Sequence, residues 1–318
     1  MNVAQSLLLE IARCPVMETC LETRHEGHPC ATVVQHQWAG IPYEERRRRW
    51  RAEHHVPEPW VGHLERAPLL FLSSNPSLSV TRPVQAPQPA PPESLPNAGT
   101  LERDHPAVRR GLQAPRAAWS DAELIDRYSA AFDVWMADGV RQIVDSDGTV
   151  GRVVPFWRAV KRLAHGLLDR PVVPGADYAL TEIVHCKSRN EIGVASAAAE
   201  CVPRYLRRVL ALSPATVVVV LGSRARHAVR TELGYPNAGV VSAPIDIEGR
   251  TRLLILLAHP AARGASRYPK RLADADLVRV RGWLRQQQQS RKFTWEADDV
   301  RLTKPPFRTT SSRSRLPG

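Results

Sequence analysis

The 318-residue chain predicts an α/β fold, a three-layer α/β/α sandwich around a central, mainly parallel four-stranded sheet. Two observations carry this. Four short apolar runs, LLFLS (69–73), YALTEIV (178–184), TVVVVLG (216–222) and RLLILLAH (252–259), show no clean alternation, so each reads as a strand buried on both faces, the mark of parallel pairing. Between them the apolar spacing turns helical, and strands that alternate with helices imply helical layers packed on a sheet.

Taken in order, PFWRAVKRLAHGLL (155–168) precedes the second run, SAAAECVPRYLRRVLAL (196–212) follows it, and SRARHAVRTEL (223–233) follows the third. Pro203 is expected near the first turn of its helix, where a missing N–H costs least. The core is expected to span 1–285. Within it, 82–118 is rich in proline, glutamine and alanine and reads as a mobile insertion. The polar, basic stretch 286–318 reads as a disordered tail, either touching a phosphate backbone or inert.

Lys and Arg outnumber Asp and Glu by 44 to 32, a formal charge of +12. That balance favours an anionic partner, nucleic acid ahead of a membrane surface, with a merely basic composition as the plain alternative. No apolar run approaches the roughly 20 residues that span a bilayer. The segment MNVAQSLLLEIARC lacks a basic start and a small-residue cleavage site, so export is not expected. A cytoplasmic, reducing compartment follows, in which clustered thiols bind metal more often than they form disulfides.

Ligands of open parallel sheets bind beyond the carboxyl ends of the strands. There the chain carries SSNPS (73–77), TEIVHC (181–186), GSRAR (222–226) and HPAARGASR (259–267). Polar groups gather at all four edges.

This ordered set resembles the uracil-DNA glycosylase superfamily, nearest to its iron–sulfur-containing bacterial and archaeal branch. The resemblance covers 69–77, 155–272 and the N-terminal LLLEIARCP, and is strongest over 178–229. SSNPS matches the first family motif and HPAAR the third. It implies a monofunctional glycosylase that hydrolyses the N-glycosidic bond of a base flipped out of DNA. Asn75 then matches the residue that places a water beneath the sugar, since its carbonyl orients water but accepts a proton poorly. His259 matches the donor to the oxygen of the departing base. Ser74 joins the base pocket, and Phe156, with Trp157 as the alternative, is the ring on which the base stacks. Gly222 and Ser223 open a helix whose N–H groups suit a phosphate, and Arg263, Arg267, Lys270 and Arg271 suit the flanking backbone.

One departure bears on the substrate. Where the family presents an asparagine that reads uracil, this chain has Glu182. A protonated carboxyl offers one donor and one acceptor, which match the ring nitrogen and amino group of a cytosine-type base. A one-residue register slip, or pairing of Glu182 with Arg189 or His185, is the alternative. Ser77 and Ala261 also replace the family's usual Gly and Ser, which bears on pocket shape.

VHCKSRNEIGVASAAAEC (184–201) places two of the chain's five cysteines at the ends of one strand-to-helix turn. In the iron–sulfur branch such a pair joins an N-terminal pair around a [4Fe–4S] cluster. Cys186 and Cys201 match the second pair and Cys14 one of the first, with Cys20 or Cys30 completing four thiolates. Zinc is the alternative metal, with His25, His28 and His185 nearby in sequence, and unliganded core thiols are the third possibility. Two rival functions stand beside the enzyme. A covalent lesion binder would need a further histidine in 259–267, and none is present beyond His259. A catalytically inactive, metal-stabilised DNA-binding module, monomeric like the enzyme, would keep the fold and the basic surface alone.

Overall fold

The structure, a computed structural model, describes residues 1–22, 27–36, 56–76, 120–129, 155–188, 191–235, 239–262 and 271–298. Helices α1 (Val3–Ala12), α2 (Pro15–Glu22) and α3 (Ala31–His36) precede strands β1 (Trp60–Val61) and β2 (Leu69–Ser73). Helices α4 (Asp121–Ser129) and α5 (Pro155–Leu168) lead to β3 (Tyr178–Glu182), followed by α6 (Val194–Cys201) and α7 (Arg207–Leu212). The chain then forms β4 (Val217–Leu221), α8 (Ser223–Leu233), β5 (Ile245–Ile247), β6 (Arg250–Leu257) and α9 (Asp274–Asp298).

The fold is mixed α/β, built on a six-stranded sheet of order β1-β3-β2-β4-β6-β5. The four expected apolar runs form its centre, where β3, β2, β4 and β6 pair in parallel. Two short edge strands raise the expected four to six, and both pair antiparallel. Alternate residues of the central strands enter two different clusters. Phe71, Leu180, Val219 and Ile255 pack with Trp157, Val160 and Leu167 of α5 and Val280 and Leu284 of α9. Leu72, Ala179, Val218 and Leu254 pack with Leu8 and Ile11 of α1 and with Val209 and Val229. Burial on both faces explains why none of the four runs alternates in the sequence.

Helix α5 follows the expected range because Trp157, Val160, Ala164 and Leu167 recur at helical spacing on its buried side. Helix α1 begins in a reciprocal cap. The Asn2 side chain accepts from the Gln5 N–H at 2.8 Å, and the Gln5 side chain accepts from the Asn2 N–H at 3.0 Å. Pro203 does not lie in the first turn of its helix, because the helix starts earlier, at Val194. It falls inside a π-helical turn, Val202–Leu206, that joins α6 to α7. Proline lacks an N–H and its ring meets the carbonyl four residues back, a clash that a wider turn relieves. At the far end, α9 continues through the glutamines of 286–289 to Asp298, since glutamine is a good helix former. The insertion 82–118 and residues 299–318 lie outside the described residues. Among the described residues, no helix is long and apolar enough to cross a membrane.

At the amino-terminal edge of the sheet, Arg252 is fully buried. Its guanidinium donates to the carbonyls of Leu210 and Ala215 at 2.7 Å and of Ser213 at 2.9 Å. Those acceptors include carbonyls left open where α7 ends. A cavity of about 420 Å³ opens at this same edge, lined by Pro214, Thr216, Arg250, Thr251 and Trp283 among others. It lies away from the strand ends where the sequence places the chemistry.

The loop after β3 is held from beneath by α3. Gly193 takes φ +77°, and a Cβ built there would run into the backbone of Thr32 and Val33. Gly193→Ala is therefore expected to lower unfolding free energy by about 2–5 kcal/mol, from left-handed strain and overpacking together, read as a drop in the thermal or urea midpoint.

Candidate functional site

The parallel ladder of β2 and β3 runs past the ends of both strands. Ser73 pairs with Glu182, and the N–H groups of Ile183 and Val184 donate to the carbonyls of Ser73 and Ser74 at 3.0 Å each. Ser188 N–H then donates to Pro76 O at 3.2 Å. Two loops are thereby zipped together, which fixes the backbone of Ser74 and Asn75. The Asn75 amide donates to Pro76 O at 2.8 Å and reaches Ser188 O at 3.4 Å. With its N–H₂ so engaged, its carbonyl oxygen is the end left to face a ligand.

His259 follows β6 and meets the chain leaving β4. Gly222 has φ +90°, and a Cβ there would stand 3.3 Å from the His259 Cβ, so glycine permits both the turn and the close approach. The Ala261 N–H donates to His259 Nδ1 at 3.2 Å. In the neutral ring this assigns the proton to Nε2, which is then a donor. Burial lowers the imidazole's pKa from its ordinary value, opposed by the charge of Glu191, so the neutral donor form dominates at pH 7.

Phe156, half-buried at the start of α5, stacks on the His259 ring with centroids 5.2 Å apart and planes 14° apart. Trp157 is buried in the core cluster, against which the more exposed Phe156 also packs, the two rings edge-on with centroids 5.1 Å apart. Ser223 is exposed and α8 starts with no side-chain cap, leaving its first N–H groups free of intrahelical partners. Arg271 is exposed, while Arg263, Arg267, Lys270, Arg189, Ser77 and His25 lie outside the described residues.

Glu191 joins these pieces and carried no sequence signal beyond a single acid in KSRNEIG. Its carboxylate accepts from Ser74 Oγ at 2.5 Å and from Arg224 Nε at 2.8 Å. Burial pulls its pKa up, but the hydrogen bonds from Ser74 and Arg224 and the charges of Arg224 and His259 outweigh that and hold it below the ordinary value. Its backbone has φ 57°, a left-handed conformation costing a non-glycine residue about 1–2 kcal/mol.

Glu182 is buried beside a second charged group. Lys187 forms an ion pair with Glu58, and all three residues are at least nine-tenths buried. Burial raises the Glu182 carboxyl well above its ordinary range, the Glu58 charge adds to this, and Lys187 opposes it. Burial and the Glu58 charge thus both disfavour the charged form of Glu182. The His185 Nδ1 donates to the Glu58 backbone carbonyl at 2.8 Å.

All five cysteines are buried and none forms a disulfide. Cys30 shares a hydrogen bond with Cys201 that raises its pKa, together with burial. Burial and then the neighbouring Cys30 and Cys14 push Cys20 up to about 12. The Tyr205 hydroxyl reaches Cys14 Sγ at 3.9 Å. Cys14, Cys20, Cys30 and Cys201 thus share one neighbourhood. As the side chains stand, no group of three or more His, Cys, Asp or Glu among the described residues is arranged to hold a metal ion. His28 caps the turn before α3, its Nδ1 accepting from the Cys30 N–H at 3.1 Å.

In comparisons with known proteins, no family model matches the chain and no curated protein matches it significantly.

The buried histidine yields a pH prediction. Burial depresses His185 from 6.5 to about 4, against the opposing Glu58 hydrogen bond. Between those values the unfolded chain binds more protons than the folded one. The stability tied to His185 is therefore complete above pH 6.5 and falls away as pH drops toward 4. His185→Gln, which keeps a donor for the Glu58 carbonyl, should flatten that acid-side loss in urea titrations between these pH values.

Proposed function

We propose that the chain is a monofunctional DNA glycosylase that hydrolyses the N-glycosidic bond of a flipped-out uracil-like, damaged or modified base. The finer fold reading that goes with it is a three-layer α/β/α sandwich of the uracil-DNA glycosylase kind. One observation carries the proposal: the carboxyl ends of β2, β4 and β6 converge, so that Ser74 and Asn75, Gly222, and His259 stacked on Phe156 stand around one edge of the sheet.

Each group has a task in that reaction. The Asn75 carbonyl holds a water under the sugar. The neutral His259 offers its Nε2–H to the base oxygen as negative charge builds there, and a neutral donor gains strength as the oxygen charges. Phe156 supplies the stacking face, and Ser74 and the start of α8 border the pocket and a phosphate. The basic chain and exposed Arg271 supply backbone attraction independent of sequence. The protein acts as a monomer on DNA, in the cytoplasm.

In its neutral form Glu182 favours a cytosine-type base over plain uracil, since a protonated carboxyl donates to a ring nitrogen and accepts from an amino group. Cys14, Cys186 and Cys201, with Cys20 or Cys30 as the fourth thiolate, are the residues that would hold a [4Fe–4S] cluster, with zinc the alternative metal. A group held by those thiols would tie the N-terminal helices to the turn between β3 and α6, a structural role. The second reading, an inactive, metal-stabilised DNA-binding module, would keep the same edge and the basic surface without base release.

Asn75→Ala and His259→Ala should each slow base release from single-lesion oligonucleotides by roughly a hundredfold or more, with DNA binding retained. Binding without release by the wild type, on uracil and on modified cytosines alike, assigns the module instead. Purified protein should show broad visible absorption and about four irons per chain; colourless protein with stoichiometric zinc identifies the other metal.

A further inference from the structure

We infer that Glu191 is the proton acceptor for the attacking water, a role the Asn75 amide is chemically unsuited to fill. This rests on the glycosylase reading and adds a residue to it. The Ser74 hydroxyl touches both side chains, 2.5 Å from Glu191 Oε1 and 3.4 Å from Asn75 Oδ1, so the carboxylate and the amide carbonyl flank one small region. Arg224, from the start of α8, holds the other carboxylate oxygen at 2.8 Å, and the charge of Glu191 is felt by His259. One acid thereby ties together the loops after β2, β3, β4 and β6.

The other carboxylates near this edge are committed elsewhere. Glu58 is paired with Lys187, and Glu182 is buried away from water, where its charged form is disfavoured. Glu191 keeps 43% of its side chain exposed, so water reaches it, and each oxygen retains a lone pair beyond the bond it already accepts. Its backbone is left-handed, φ 57°, a conformation costly for a non-glycine residue.

The step balances without a further reactant. The bond from C1′ to the base nitrogen breaks with its electron pair leaving on the base, whose oxygen His259 contacts. The water oxygen bonds C1′, its proton passes to the Glu191 carboxylate and then to solvent, and the base anion takes up a proton from solvent. A carboxylate held below its ordinary pKa is a weak base. That suits a sugar cation, because the water becomes acidic only as its oxygen joins C1′ and the acceptor is needed late.

The test uses full-length wild type, Glu191→Ala and Glu191→Gln on oligonucleotides carrying one uracil or one 5-methylcytosine. Both variants should lose about a hundredfold or more in base release, with melting midpoints near wild type. Sodium azide, a nucleophile with no proton to give up, should restore release by Glu191→Ala and leave azide on C1′, an outcome that a merely structural acid would not produce. Wild-type rates in either variant overturn the assignment, as does loss without azide rescue. If Glu191→Ala fails to fold, Glu191→Gln, which keeps the side-chain volume, decides by its rate. Wild type that releases neither base overturns the glycosylase reading itself, a result distinct from failure of Glu191 alone.

Discussion

Parallel pairing of the four central strands is the constraint on which the rest depends. Strands that run the same way end on the same edge, so four separate loops are delivered to one place without any contact between them in sequence. The ladder of β2 and β3 continues by three hydrogen bonds into those loops, so the positions of Ser74, Asn75 and Ser188 follow from strand register. A slip of one residue would turn Ser73, Glu182 and the core residues behind them to the opposite face. With both faces buried, that slip would place polar groups in one hydrophobic cluster and strip apolar groups from the other.

What the sequence reveals divides along the same line. LLFLS, TVVVVLG and their companions were legible because burial on two faces leaves an unbroken apolar run, and PFWRAVKRLAHGLL because one face repeats at helical spacing. The edge strands were not, since Trp60–Val61 is two residues long and Ile245–Ile247 carries one buried residue. Asn75, Phe156 and His259 were legible as polar or aromatic groups at element ends. Glu191 was not. It reaches the site through a left-handed turn that glycine or asparagine usually signals, and nothing in its neighbours announces it. Pro203 misled in the other direction, because proline marks a first turn more often than a π-helical insertion.

The charged interior beside β3 shows why Glu182 and the ionised acid of the site differ although both are glutamates. Glu182 is shut away from water and shares its surroundings with Glu58, so burial and that neighbouring charge raise its carboxyl against the pull of Lys187. Glu191 has water, an arginine and a hydroxyl to itself. Desolvation acts on both, and the difference lies in how many donors each oxygen meets.

The seating of Gly193 on the backbone of Thr32 and Val33 carries a consequence for how this molecule can be divided. Helix α3 is the abutment against which the loop bearing Glu191 is braced, Glu191 lying only two residues upstream of that contact. A trimmed version retaining the sheet and its polar edge, but shorn of α3, would leave that loop without its footing. The sheet alone is therefore not a working unit; α3 belongs with it.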